Sequence, residues 1–198
     1  MKDGNRGDGS VFRYAYRDGE LGAFARHGVR VIGWGQLGTD PAAAGHWTAA
    51  IIRDFGLTGF IADAEGAPYE LSHDTVASRR YVETVGRELA GRTAELALSL
   101  PPREPGQEFD YSPWINGGWH FLPQCYENIG SSAVDLCVSR ARRAWPSPYV
   151  HPTFGFYPWG GSHYVPLANY RTHIPAGTYG WSVFLSDYLA PADWAGLP

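Results

Sequence analysis

Apolar runs of strand length alternate with longer amphipathic stretches from residue 11 to residue 187, and this alternation restricts the chain to a small set of folds. Period-two patterning predicts strands over 11–16, 29–37, 59–65, 95–100, 119–128, 149–157 and 178–187. Between them fall a short helix over 19–27, a helix opening after Asp40, helices over 72–92 and 132–145, and a short helix near 167–173. Asp40 stands in the cap position with Pro41 in the first turn, where a missing N–H costs nothing, and Gly56 closes that helix. Val82, Val85 and Leu89 recur on one face of the next helix, as Val134, Val138, Ala141 and Trp145 do on the last long one. Pro101, Pro102, Pro105 and Pro113 forbid a long helix over 101–118, which is expected as a loop over the C-terminal strand ends. Strand and helix in alternation imply a parallel sheet covered by helices, as an open doubly wound sheet or a closed barrel.

Residues 1–10 are polar and expected as a flexible N-terminus, with no apolar core of a signal peptide, and 11–198 are expected as one domain because no linker divides them. No window reaches the ~18 consecutive apolar residues of a membrane span, so membrane insertion is not expected. The net charge of −4 and the lack of a long basic run argue against nucleic acid. Arg140, Arg142 and Arg143 are read as the wet face of a helix. Aromatic residues make up 15% of the chain, enough either to fill a core or to offer rings for stacking on sugars. Cys125 and Cys137 form no C-x-x-C pair; buried free thiols are the first expectation and a disulfide the second. The histidines, His120 and His151 among them, form no metal-binding pattern, and neither metal nor cofactor is expected.

The polar strand ends decide between sheet and barrel. Neither G-x-G-x-x-G nor a P-loop is present, whereas Trp34, Gln36, Asp63, Glu65, Ser99, Gln124, Tyr126, Tyr157 and Asp187 all lie at or near strand ends. A TIM-type (β/α) barrel gathers such residues around one mouth. Barrels of this kind usually need about 250 residues and about eight strands, so an abbreviated one with about seven recognisable strands is expected. In the run G-F-I-A-D-A-E, Asp63 and Glu65 share one face of a strand with Cα atoms about 6.6 Å apart. Neighbouring negative charge raises the pKa of one carboxyl, the condition for a general acid at neutral pH. Glycoside cleavage uses such a pair: Glu65 would protonate the leaving oxygen, and Asp63 would orient it or stabilise the oxocarbenium-like state. Gln36, Asp110, Gln124, Tyr126 and Asp187 are candidate polar contacts to substrate, and Trp34, Tyr69 and Trp114 candidate stacking platforms.

The segments V-I-G-W-G, G-F-I-A-D-A-E, A-L-S-L-P, F-L-P-Q-C-Y and G-W-S-V-F-L-S-D-Y, in this order, resemble glycosidase-like (β/α) barrel domains of actinobacterial and actinobacteriophage proteins, of minor tail or wall-lytic type. The D-A-E is more distantly similar to the D-x-E of chitinase-like and Chalaropsis-type lysozyme barrels. That resemblance implies Glu65 as proton donor with Asp63 assisting, and a bacterial surface glycan, peptidoglycan or polysaccharide, as partner. The longer D-x-x-D-x-D-x-E of true chitinases is absent, with apolar Ile61 where it carries an acid. Two functions are therefore expected to compete: a glycoside hydrolase, or a non-catalytic phage tail component that uses the barrel to bind glycan or to assemble with other tail proteins. Either implies a virion or extracellular location.

Overall fold

The computed structural model describes residues 2–5, 11–13, 22–23, 26–28, 30–64, 74–102, 109–125, 131–146, 148–155 and 182–184. Their contacts divide into two compact units, one of Met1–Ser99 with Gln107–His120 and the other of Leu100–Gly106 with Phe121–Pro198. Two of the crossings, Ser99 to Leu100 and His120 to Phe121, fall inside regular strands, so no linker composition marks them.

In the first unit, strands β1 (Lys2–Asn5), β2 (Val11–Arg13), β3 (Ile32–Gln36), β4 (Gly59–Asp63) and β5 (Glu95–Leu100) lie in the order β2-β1-β3-β4-β5. β1, β3, β4 and β5 run parallel and β2 is antiparallel to β1. Residues 2–5 belong to the stretch expected to be flexible, and β1 corrects that expectation there. Its sequence, K-D-G-N, carries no alternating apolar pattern, and its backbone pairs with β2 and β3. Gly59 opens β4 where a Cβ would come within 2.1 Å of the Glu95 carbonyl oxygen, so only glycine lets β4 and β5 approach at this point.

Helices α1 (Pro41–Asp54) and α2 (Thr75–Glu88) pack against each other. Asp40 caps α1 by accepting from the backbone N–H groups of Ala42 and Ala43, as its sequence position predicts, and Asp74 caps α2 in the same way. The helices meet closely at Gly45, where a Cβ would strike the Thr84 side chain, and the Thr48 hydroxyl pairs with the buried Tyr81 hydroxyl at 2.9 Å. Val82, Val85 and Leu89 are buried, as their spacing requires. A short helix α3 (Ser112–Asn116) lies within the stretch read as loop; Pro113 sits in its first turn, where proline is tolerated.

In the second unit, β6 (His120–Pro123, from Phe121 onward) makes parallel bridges Phe121↔Val150 and Gln124↔Thr153, and β7 (Thr153–Gly155) pairs in parallel with β8 (Ser182–Phe184). Helix α4 (Ser131–Ala144) buries Val138 and Ala141, and Trp145 just beyond it stacks on Phe121 with ring centroids 5.2 Å apart; Val134 lies outside the residues whose side chains are described. Arg142 and Arg143 are exposed, and Arg140 is half-buried. The cysteines are bonded rather than free: Cys125, just past β6, forms a disulfide with Cys137 of α4, their Cα atoms 5.6 Å apart. The α4 turn that carries Cys137 folds back over the strand end that precedes it, a proximity that spacing alone leaves undecided. Closing so short a loop should restrict the unfolded chain by about 3 kcal/mol. Reduction under native conditions should lower the urea midpoint accordingly, and an unchanged midpoint with fully reduced thiols would show that the bond adds nothing to stability.

Candidate functional site

The register of three parallel strands builds the site. Gln36 of β3 is paired with Asp63 of β4, and Asp63 with Ser99 of β5, so the three side chains form one row across the C-terminal strand ends. Two residues back, Trp34, Ile61 and Ala97 form the next row on the same face. Phe60, Ala62 and Leu98 alternate to the opposite face and are buried. The backbone continues the ladder past the row: the Leu37 N–H donates to the Asp63 carbonyl and the Ala64 N–H to the Ser99 carbonyl, at 3.0 and 3.1 Å. The strand ends are thus held by main-chain bonds on both sides of Asp63.

Burial within the row is uneven. Asp63 is 2% exposed and Ser99 5%, whereas Gln36 is exposed and Trp34 and Ile61 are half-buried. A carboxylate removed from water is costly unless it is hydrogen-bonded or paired, so the environment of Asp63 is a demanding one for a residue of merely structural use. Glu65, Tyr69, Tyr126 and Asp187 lie outside the described residues. Of the sequence-derived site residues, the sheet therefore brings together Asp63, Gln36 and Trp34. Ser99, read from the sequence as a polar residue near a strand end but not as a substrate contact, joins them in the same row.

One expectation changes on α3. Trp114, read as a platform for a sugar ring, is completely buried, edge-on to Trp119 at 4.9 Å and beside Tyr81 of α2 at 5.5 Å. It presents no ring face to a ligand and belongs to the core, the fate of most large aromatics. Asp110, read as a substrate contact, is exposed and accepts a 2.9 Å hydrogen bond from the Ser112 N–H at the start of α3. Hydrogen bonds from the Ser112 hydroxyl and N–H hold its pKa below the usual carboxylate value, so it is ionised at neutral pH. Gln124, in the second unit, is buried, and its backbone N–H donates to the Leu100 carbonyl at 3.1 Å.

Burial lowers the pKa of His120, which favours the neutral imidazole, with Glu95 opposing. Among the described residues no cluster of His, Cys, Asp and Glu could hold a metal ion, and no helix is long and apolar enough to cross a membrane.

Replacing Trp114 tests its place in the core. Trp114→Phe should lower the unfolding free energy by about 1 to 3 kcal/mol in urea titration, as expected of a core residue. An unchanged unfolding free energy would contradict the core role.

No protein-family model and no curated protein sequence matches the chain. Solved structures do. A GH18 chitinase from Pseudoalteromonas aurantia superimposes with a TM-score of 0.65 at 15% identity, over 88% of this chain and 78% of that one. An endo-β-N-acetylglucosaminidase from Cordyceps militaris, in its apo form, superimposes with a TM-score of 0.57 at 16% identity, over 89% of this chain and 70% of that one. The protein thus has an α/β fold with a parallel sheet, similar to the TIM-barrel chitinases of glycoside hydrolase family 18.

Proposed function

We propose that the protein is a glycoside hydrolase acting on a bacterial cell-surface glycan, peptidoglycan or polysaccharide, and that its strands close into an abbreviated TIM-type barrel around the row containing Asp63. The burial of Asp63 at the C-terminal end of β4 carries this reading, because chitinase-like folds perform their chemistry at that end of the strands. Glu65, two residues past Asp63 in the sequence, is the proton donor to the leaving glycosidic oxygen. Asp63 supports it by stabilising positive charge that develops on the sugar or on the substrate's own substituent. Gln36 and Trp34, nearer to solvent in the same rows, contact the sugar. The Cys125–Cys137 disulfide supports an extracellular or virion location, since such bonds persist in oxidising surroundings.

Ile61 favours a second reading. It sits half-buried in the row behind Asp63, where the chitinase run carries an acid, and a site lacking that charge suits a non-catalytic minor tail or virion component of an actinobacteriophage. Such a protein would use the barrel to bind glycan or to join other tail proteins. One assay separates the two. Wild type should release reducing sugar from actinobacterial cell walls, and Glu65→Gln should abolish release, by about a hundredfold or more, while wall binding persists. Binding without release by the wild type on every wall tried would sink the enzyme and leave the binding module.

A further inference from the structure

Pro123 leaves the end of β6 short of main-chain bonds. Along a parallel strand the backbone N–H groups point alternately to the two neighbouring strands, so residues 121, 123 and 125 direct theirs toward β7. The Phe121 N–H donates to the Tyr149 carbonyl and the Cys125 N–H to the Thr153 carbonyl, each at 2.8 Å. Between them Pro123 has no N–H to give. The two bridges on this side, Phe121↔Val150 and Gln124↔Thr153, are isolated from each other. On the other side the Gln124 N–H donates to the Leu100 carbonyl at 3.1 Å. A strand end with so few bonds opens readily unless something else holds it.

We infer that the Cys125–Cys137 disulfide supplies the hold that Pro123 removes, fixing the strand end that carries Gln124, so that glycan contact there depends on the oxidation state of the pair. This rests on the proposed glycan-acting reading for its functional meaning, with Gln124 as the substrate contact its sequence position suggests. The bond joins the residue next to Gln124 to the middle of α4, which buries Cys137, Val138 and Ala141 and so is itself anchored. The Cys137 sulfur lies 3.7 Å from the Gln124 carbonyl oxygen, which places the crosslink directly against the backbone it steadies. Leu100, Gln124, Cys125, Cys137 and Thr153 all belong to the second unit, so the hold is local to it. Reduction by a dithiol breaks the one S–S bond and leaves two thiols, while the dithiol closes to its own cyclic disulfide. A small-molecule disulfide reverses the step and departs as two thiols.

Amide hydrogen exchange on the full chain, read by NMR, tests the hold without requiring a substrate. In oxidised wild type the Cys125 amide should exchange within about tenfold of the Phe121 amide at the other end of the same strand. After reduction by a dithiol, or in Cys125→Ala/Cys137→Ala, Gln124 and Cys125 should exchange about tenfold to a hundredfold faster with Phe121 little changed. Equal acceleration of all three, the mark of general destabilisation, overturns the inference, as does no acceleration at all. Should the reduced chain and the variant both fail to fold, oxidised wild type decides: a Cys125 amide that exchanges about a hundredfold faster than that of Phe121 overturns it. Adding Pro123→Ala to the cysteine-free chain restores the missing donor and should slow Cys125 again; no slowing would contradict the compensation. Binding to isolated actinobacterial cell walls then separates this inference from the reading it rests on. The folded, reduced protein should bind about tenfold more weakly than the oxidised one, and oxidised glutathione should restore binding in wild type but not in the double variant. Equal binding by both states overturns the dependence on oxidation. A wild type that neither binds nor cleaves any wall defeats the glycan-acting reading, while the exchange rates still decide the hold.

Discussion

The in-register parallel pairing of β4 with β3 on one side and β5 on the other is the constraint on which the site depends. It turns three residues separated by dozens of positions in sequence, Gln36, Asp63 and Ser99, into neighbours on one face. A slip of one residue in β4 would send Asp63 to the face of Phe60 and Ala62 and put Ala62 or Ala64 in its place. Gly59 guards that register by permitting the close approach to Glu95 at the start of the strand. Helix α1 packs against β4, and α1 and α2 are locked together at Gly45 and by the Thr48–Tyr81 hydroxyl pair.

The aromatic content, open to two interpretations in the sequence, divides by position. Trp114, Trp119 and Tyr81 form a contiguous core cluster in the first unit, and Phe121 and Trp145 a stacked pair in the second. Trp34, half-buried, lies on the same face as Asp63. A glycan-binding role therefore rests on a few rings placed at strand ends rather than on aromatic abundance.

Much of the fold was legible because local chemistry and tertiary structure agree. Asp40 before Pro41 marks a cap that the structure uses, and the spacing of Val82, Val85 and Leu89 names the buried face of α2. β1 was illegible because K-D-G-N carries no apolar alternation, the signal by which strands are read from sequence. α3 was hidden by its prolines, of which Pro113 begins a helix instead of preventing one. The disulfide depends on how α4 returns over β6, a tertiary fact absent from Cys spacing. In the site, the placement of Asp63 at a strand end followed from the apolar run before it. Ser99 could be placed beside it only by the register, and Trp114 could be removed only by its burial.

The central claim is that the Asp63 row lies beneath the bond of a bound glycan. A crystal structure of Glu65→Gln with an N-acetylhexosamine oligosaccharide from the cell wall tests it most directly. The account predicts a glycosidic oxygen within about 3 Å of the residue 65 side chain, with the adjoining sugar ring over Asp63 and Gln36. An oligosaccharide bound elsewhere on the molecule, with these strand ends empty, would contradict it.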